Sequence, residues 1–102
     1  MPTDRFIRDK AAIRAELERR ARARQVITYG GAAALVGRAK QGLGPLLTAI
    51  GTEEKQQDRP DLGVLVVRMR TGLPSYVGAG QDAQDRAIAV QEAVFAVWAG
   101  QT

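Results

Sequence analysis

The stretch from Ile27 to Leu47 constrains the chain most. Ile27-Thr28-Tyr29-Gly30 precedes an alanine-rich run, Ala32 to Val36, and Gly42-Leu43-Gly44-Pro45-Leu46-Leu47 follows a short basic turn. Thr28 is a good N-cap for a helix from Tyr29 to about Val36. Gly37 suits the end of that helix, where a left-handed backbone is often needed. Pro45 has no N–H to donate, so it belongs in the first turn of a second helix beginning near Gln41 to Gly44. Leu46, Leu47 and Ile50 supply the buried face of this second helix, and Gly51-Thr52 reads as its end. Two helices joined by a tight turn, the second opened by glycines, can bring backbone N–H groups near a phosphate chain.

The flanking segments extend this reading. Thr3 or Asp4 can cap a first helix running to about Arg24, with Phe6, Ile13, Leu17 and Ala21 near one stripe. The other faces of that helix carry Arg5, Arg8, Lys10, Arg14, Arg19, Arg20, Arg22 and Arg24. It reads first as a solvated helix with one buried edge. The sharper alternatives are an arm lying along a phosphate backbone, or a surface that pairs with a second copy or a protein partner. Glu53 to Asp61 reads as a polar loop. Leu62 to Arg68, with its run of Val64, Leu65, Val66 and Val67, predicts a strand buried on both faces or lying under a helix. Met69 to Gly72 predicts a turn, and Leu73 to Val77 an edge strand limited by Pro74. A last helix is expected from Gln81 or Asp82 to Trp98, with Ala87, Val90, Val94, Val97 and Trp98 inward and Ile88 and Phe95 beside them.

At 102 residues the chain is long enough for one domain and too short for two. The expected fold is α+β and mostly helical: a winged helix-turn-helix with an added N-terminal helix and a C-terminal helix. Its parts are a basic helix over 1–25, a helix-turn-helix over 26–52, a β-hairpin wing over 62–78 and a helix over 81–99.

Charge follows the same divisions. The net charge is +4. Residues 26–52 carry Arg38 and Lys40 and no acid, and residues 62–80 carry Arg68 and Arg70 and no acid. Residues 53–61 and the last helix are acidic. Such a pattern favours a polyanionic partner. The chain has no cysteine and no histidine. Disulfides, thiolate metal sites, a Ser-His-Asp triad and a histidine base are thereby excluded. No metal, cofactor or catalytic residue is expected. The absence of a signal-peptide-like or membrane-spanning run makes a cytoplasmic location, away from membranes, the expectation.

Ile27-Thr28-Tyr29-Gly30, the helix ending Leu35-Val36-Gly37, and Leu43-Gly44 together resemble the DNA-binding domain of the alkylguanine-DNA alkyltransferases and alkyltransferase-like proteins. Pro60-Asp61-Leu62-Gly63-Val64 falls where that family has P-C-H-R-V, and Ser75-Tyr76-Val77-Gly78 resembles its later G-Y-x-G. The resemblance spans about residues 26 to 80. It implies a winged-helix scaffold with Tyr29 against the DNA backbone. Asp61 stands in place of the reactive cysteine and Leu62 in place of its activating histidine, which removes alkyl transfer. Gln41 stands where the recognition helix has its intercalating arginine.

The expected function is therefore a non-catalytic protein contacting the phosphate backbone of double-stranded DNA, regulatory or accessory in DNA metabolism. Its candidate contacts are Tyr29, Arg38, Lys40, Gln41, Gly42, Gly44, Thr48, Arg68 and Arg70. Arg38 and Lys40 suit phosphates from the turn, and Gly42 and Gly44 offer backbone amides. Gln41 and Thr48 are the base-reading candidates, and Arg68 and Arg70 belong to the wing. The alternative is a protein-interaction module on the same scaffold without nucleic-acid binding, docking through the first helix and the acidic 53–61 segment.

Overall fold

The structure, a computed structural model, describes residues 3–100. Four helices surround one buried segment. Helix α1 spans Asp4–Arg22, β1 Ile27–Thr28, α2 Tyr29–Val36, α3 Gly44–Gln56, β2 Val66–Val67 and α4 Gln81–Ala99. Two 3₁₀ turns, Lys40–Leu43 and Leu62–Leu65, lead into α3 and β2 respectively.

The helix boundaries have local causes. Thr3 accepts a hydrogen bond from Phe6 N and opens α1, and Thr28 accepts one from Gly31 N and opens α2. Gly37, at φ 64°, closes α2 in the left-handed region, as its position predicts. Pro45 sits in the first turn of α3.

Helix α3 does not stop at Gly51-Thr52. It continues to Gln56, so the polar loop expected from Glu53 begins a turn later. Gly51 is a packing residue. A Cβ there would lie 2.9 Å from the Asp61 carboxylate, so the small side chain lets the 57–61 return pass close to the helix.

The β-hairpin wing over 62–78 is not formed. Residues Leu62–Leu65 make a 3₁₀ turn that Asp61 caps, its Oδ1 accepting from Gly63 N at 2.7 Å. Only Val66 and Val67 are extended. They pair in parallel with β1, Ile27 opposite Val66 and Thr28 opposite Val67. Residues 73–77 form no strand. The expected burial of the apolar run is correct, and its conformation differs. The segment runs through the centre of the molecule, packed against and covered by α1, α3 and α4. The coarse class stands: α+β, mostly helical, with a minimal sheet.

The core gathers Ile13, Leu17 and Ala21 of α1, Leu46 and Ile50 of α3, Leu62 to Val66, and Val94, Phe95 and Trp98 of α4. Each large side chain fully buried here contributes about 1.5–3 kcal/mol relative to exposure. On α4 the inner stripe is Ala87, Gln91, Val94, Phe95 and Trp98, whereas Val90 and Ile88 are exposed. A buried ion cluster joins α1 to α3. Glu54, fully buried, accepts from Arg14 Nη1 at 2.6 Å and from Arg59 Nε at 2.8 Å. The Arg59 and Arg22 guanidinium groups lie over the Trp98 ring at 5.2 and 5.3 Å from its centroid.

Candidate nucleic-acid interface

The start of α2, the turn into α3 and the loop after β2 meet on one side of the molecule. They enclose a depression of ≈ 640 Å³ lined by Tyr29, Lys40, Gln41, Arg68, Met69, Arg70 and their neighbours. A second depression of ≈ 340 Å³ shares Tyr29, Lys40, Gln41 and Ser75 with the first, and adds Gly44, Thr48, Asp61 and Tyr76. Seven of the nine candidate residues named above, Tyr29, Lys40, Gln41, Gly44, Thr48, Arg68 and Arg70, thus fall on one continuous concave surface.

Arg38 and Gly42 do not line it. The Arg38 Nε donates to Asp9 Oδ2 at 2.7 Å, and its side chain is mostly covered. Its role is a strut from the α2–α3 turn to α1. Gly42 N donates to Ala39 O at 2.9 Å, so that amide is already satisfied. The glycine-opened helix end is also not bare where the sequence places it. The 3₁₀ turn runs directly into Gly44, and the helical backbone starts at Lys40.

The loop after β2 is held at its base and open at its tip. Arg68 N donates to Leu73 O at 2.9 Å and Gly72 N to Arg68 O at 2.9 Å. Gly72 has φ 67°, which favours glycine. Leu73 N donates to Thr71 Oγ1. From α4, Gln91 Nε2 donates to Val64 O at 3.1 Å and to Gly72 O at 3.3 Å. From α2, the Tyr29 hydroxyl accepts from Ser75 N at 3.0 Å and donates to Ser75 Oγ at 3.1 Å. Arg68, Met69 and Arg70 are exposed. Strand alternation, which would set Met69 opposite the two arginines, ends at Val67, and all three residues line the same depression.

The electrostatics single out this surface. The cations of α1 are drawn to nearby acids. Arg5 and Arg8 flank Asp9, Lys10 and Arg14 hold Glu53, Arg19 and Arg20 hold Glu16, and Arg22 reaches Glu18. Arg24 approaches Glu92. Among the described residues Lys40, Lys55, Arg68, Arg70 and Arg86 have no carboxylate within 4.0 Å. Lys40, Arg68 and Arg70 are together in the larger depression, and no acid lines it.

Asp61 lies in the smaller depression. Burial pushes its carboxyl above the ordinary range, against the Gly63 N–H, which favours the charged form, and with a further push from Glu54. Tyr76 is raised by desolvation and then by Asp61 and Tyr29. Among the described residues no group of three His, Cys, Asp or Glu is placed to hold a metal ion. No described helix is long and apolar enough to cross a membrane.

Met69 and Ser75 line the surface without being among the candidates the sequence offers, and Gln91, buried behind the loop whose Gly72 carbonyl it holds, is a supporting residue the sequence reading also misses. Gln91 had a readable signal, because a polar side chain at that spacing falls on the apolar stripe of α4 and must find partners inside. No protein-family model, curated protein or solved structure matches the chain.

Proposed function

We propose that this protein is non-catalytic and binds double-stranded DNA through the concave face formed by the starts of α2 and α3 and the 68–73 loop, in a regulatory or accessory role in DNA metabolism. In this reading α2 and α3 act as a helix-turn-helix, and the pinned loop after β2 stands where a wing would be. The observation that carries it is the grouping of Lys40, Arg68 and Arg70. They are exposed, unpaired among the described residues, and converge on a depression without an acid. Elsewhere most cations are neutralised locally, so this is where a polyanion gains most. Gln41 and Thr48 are positioned beside it for base edges or sugars, which implies modest sequence preference.

The protein-docking alternative draws less support. Glu53 and Glu54, half of the acids it needs in 53–61, are engaged by Lys10, Arg14 and Arg59. The α1 cations are similarly engaged, which also weakens the phosphate-arm reading of that helix.

Fluorescence anisotropy with labelled duplex over a salt series tests the proposal. Three phosphate contacts correspond to a slope of log K against log salt of about −3. Replacing Lys40, Arg68 and Arg70 with alanine together should flatten it towards zero. A Lys55→Ala/Arg86→Ala control, which removes two unpaired cations outside the two depressions, should keep the wild-type slope. Absence of binding at low salt, or an unchanged slope in the triple variant, would overturn the reading.

A further inference from the structure

The tip of the 68–73 loop joins two features that seldom coincide. Met69 is the most exposed large apolar side chain of the described residues, at 85%, and both its neighbours in sequence are unpaired arginines. Its exposure is not that of a loose segment. The loop closes on itself through Arg68 N to Leu73 O and Gly72 N to Arg68 O, Gln91 of α4 holds its Gly72 carbonyl, and Tyr29 of α2 holds Ser75 two residues beyond it. An apolar side chain held out into water by a fixed loop gains nothing from folding.

The geometry points to Met69 as an apolar wedge that enters between two base steps of the bound duplex from the minor groove, with Arg68 and Arg70 on the flanking phosphates or groove floor. This rests on the DNA-binding reading and adds to it a specific distortion. Arginines beside the wedge are attracted to the negative potential of the minor groove. An unbranched thioether is slender, polarisable and free of a competing hydrogen-bonding group, as insertion between stacked bases requires. Partial unstacking costs a few kcal/mol, and a bend opened there brings the duplex onto Lys40 and Gln41 across the same depression. Flexible pyrimidine–purine steps are the least costly to open, so T–A steps are the preferred sites.

A short duplex rich in T–A steps, carrying 2-aminopurine and a donor and acceptor dye at its ends, tests this. Wild-type binding should raise the 2-aminopurine fluorescence severalfold and shorten the end-to-end distance. Met69→Ala is expected to fold normally, because the side chain has no packing to lose. It should keep the salt slope, weaken binding by less than about tenfold, and abolish both the fluorescence rise and the shortening. Met69→Leu should retain both signals. Salt-dependent wild-type binding with unchanged 2-aminopurine fluorescence would overturn the wedge and leave DNA binding standing, as would an undiminished rise with Met69→Ala. Failure of the wild-type protein to bind the duplex at low salt removes the DNA reading and the wedge together.

Discussion

Arg38 and Lys40 lie two residues apart in a basic turn, and the fold assigns them opposite roles. Arg38 turns inward to Asp9, whose carboxyl is held below its ordinary range chiefly by that hydrogen bond, against the opposing effect of burial. Lys40 turns outward into both depressions, its Cε lying 3.5 Å from where a Cβ on Gly30 would stand. Sequence cannot separate two such residues, because the deciding partner is 29 residues away on another helix. Arg38→Ala should lower the melting temperature and leave the salt slope of DNA binding unchanged. Lys40→Ala should leave the melting temperature unchanged and reduce the slope by about 1. Thermal melting followed by circular dichroism, with anisotropy on the same samples, checks both halves. Equal loss of slope in the two variants would place Arg38 back at the interface.

At the scale of elements, what was legible in the sequence was whatever is fixed within a turn or two. The caps Thr3 and Thr28, the left-handed Gly37 and Pro45 in the first turn act locally, and α1, α2 and the start of α3 fall close to where these signals put them. The misreadings share a different origin. Gly51 has the sequence appearance of a helix end, yet it is needed for the close approach of Asp61. The valine-rich run at 64–67 has strand propensity, but its burial under helices leaves room for only one two-residue partner, and the Asp61 cap bends its first half into a 3₁₀ turn. The convergence of Lys40 with Arg68 and Arg70 was legible as a sign pattern, while the depression that joins them follows from the parallel pairing of β1 with β2. The same logic gives α4 a part in the site. Gln91 holds the Gly72 carbonyl, so Gln91→Ala should loosen the 68–73 loop without removing any charge from it. Amide hydrogen exchange should speed up at Gly72 and Arg68, and duplex affinity should fall about three- to tenfold with the salt slope retained. Unchanged exchange in the variant would show that the backbone bonds alone fix the loop.

For the whole molecule, the net positive charge is less informative than how the charges are divided. Most cations are drawn into pairs, of which those of Lys10, Arg14 and Arg59 hold α1, α3 and the 57–61 return together, and the remainder include the three of the concave face. This division predicts how stability depends on acid. For Glu54, burial alone would raise the carboxyl, but Arg59 and then Arg14 outweigh it and the net shift is downward. Glu53 is lowered first by Lys10, and Glu16 first by Arg19. Each of these groups binds fewer protons folded than unfolded around the ordinary carboxylate range. Their stabilisation is therefore complete above that range and is lost as pH falls through the lowered folded values. Asp61 has the opposite sign: raised by burial, it opposes folding at neutral pH, and that cost disappears on protonation. Urea midpoints measured from neutral pH downward should be flat and then drop steeply for the wild type. Glu54→Gln should lose about 2 kcal/mol at neutral pH, less than for a fully enclosed pair because Arg59 remains partly open to water, and should show a shallower acid drop. Asp61→Asn keeps an acceptor for the Gly63 N–H, so it should be more stable than wild type at neutral pH, and the gain should shrink as wild-type Asp61 takes up its proton. An Asp61→Asn variant less stable at neutral pH would mean that the charge itself, and not the acceptor, holds the 3₁₀ turn that delivers β2 to β1 and the basic loop to the concave face.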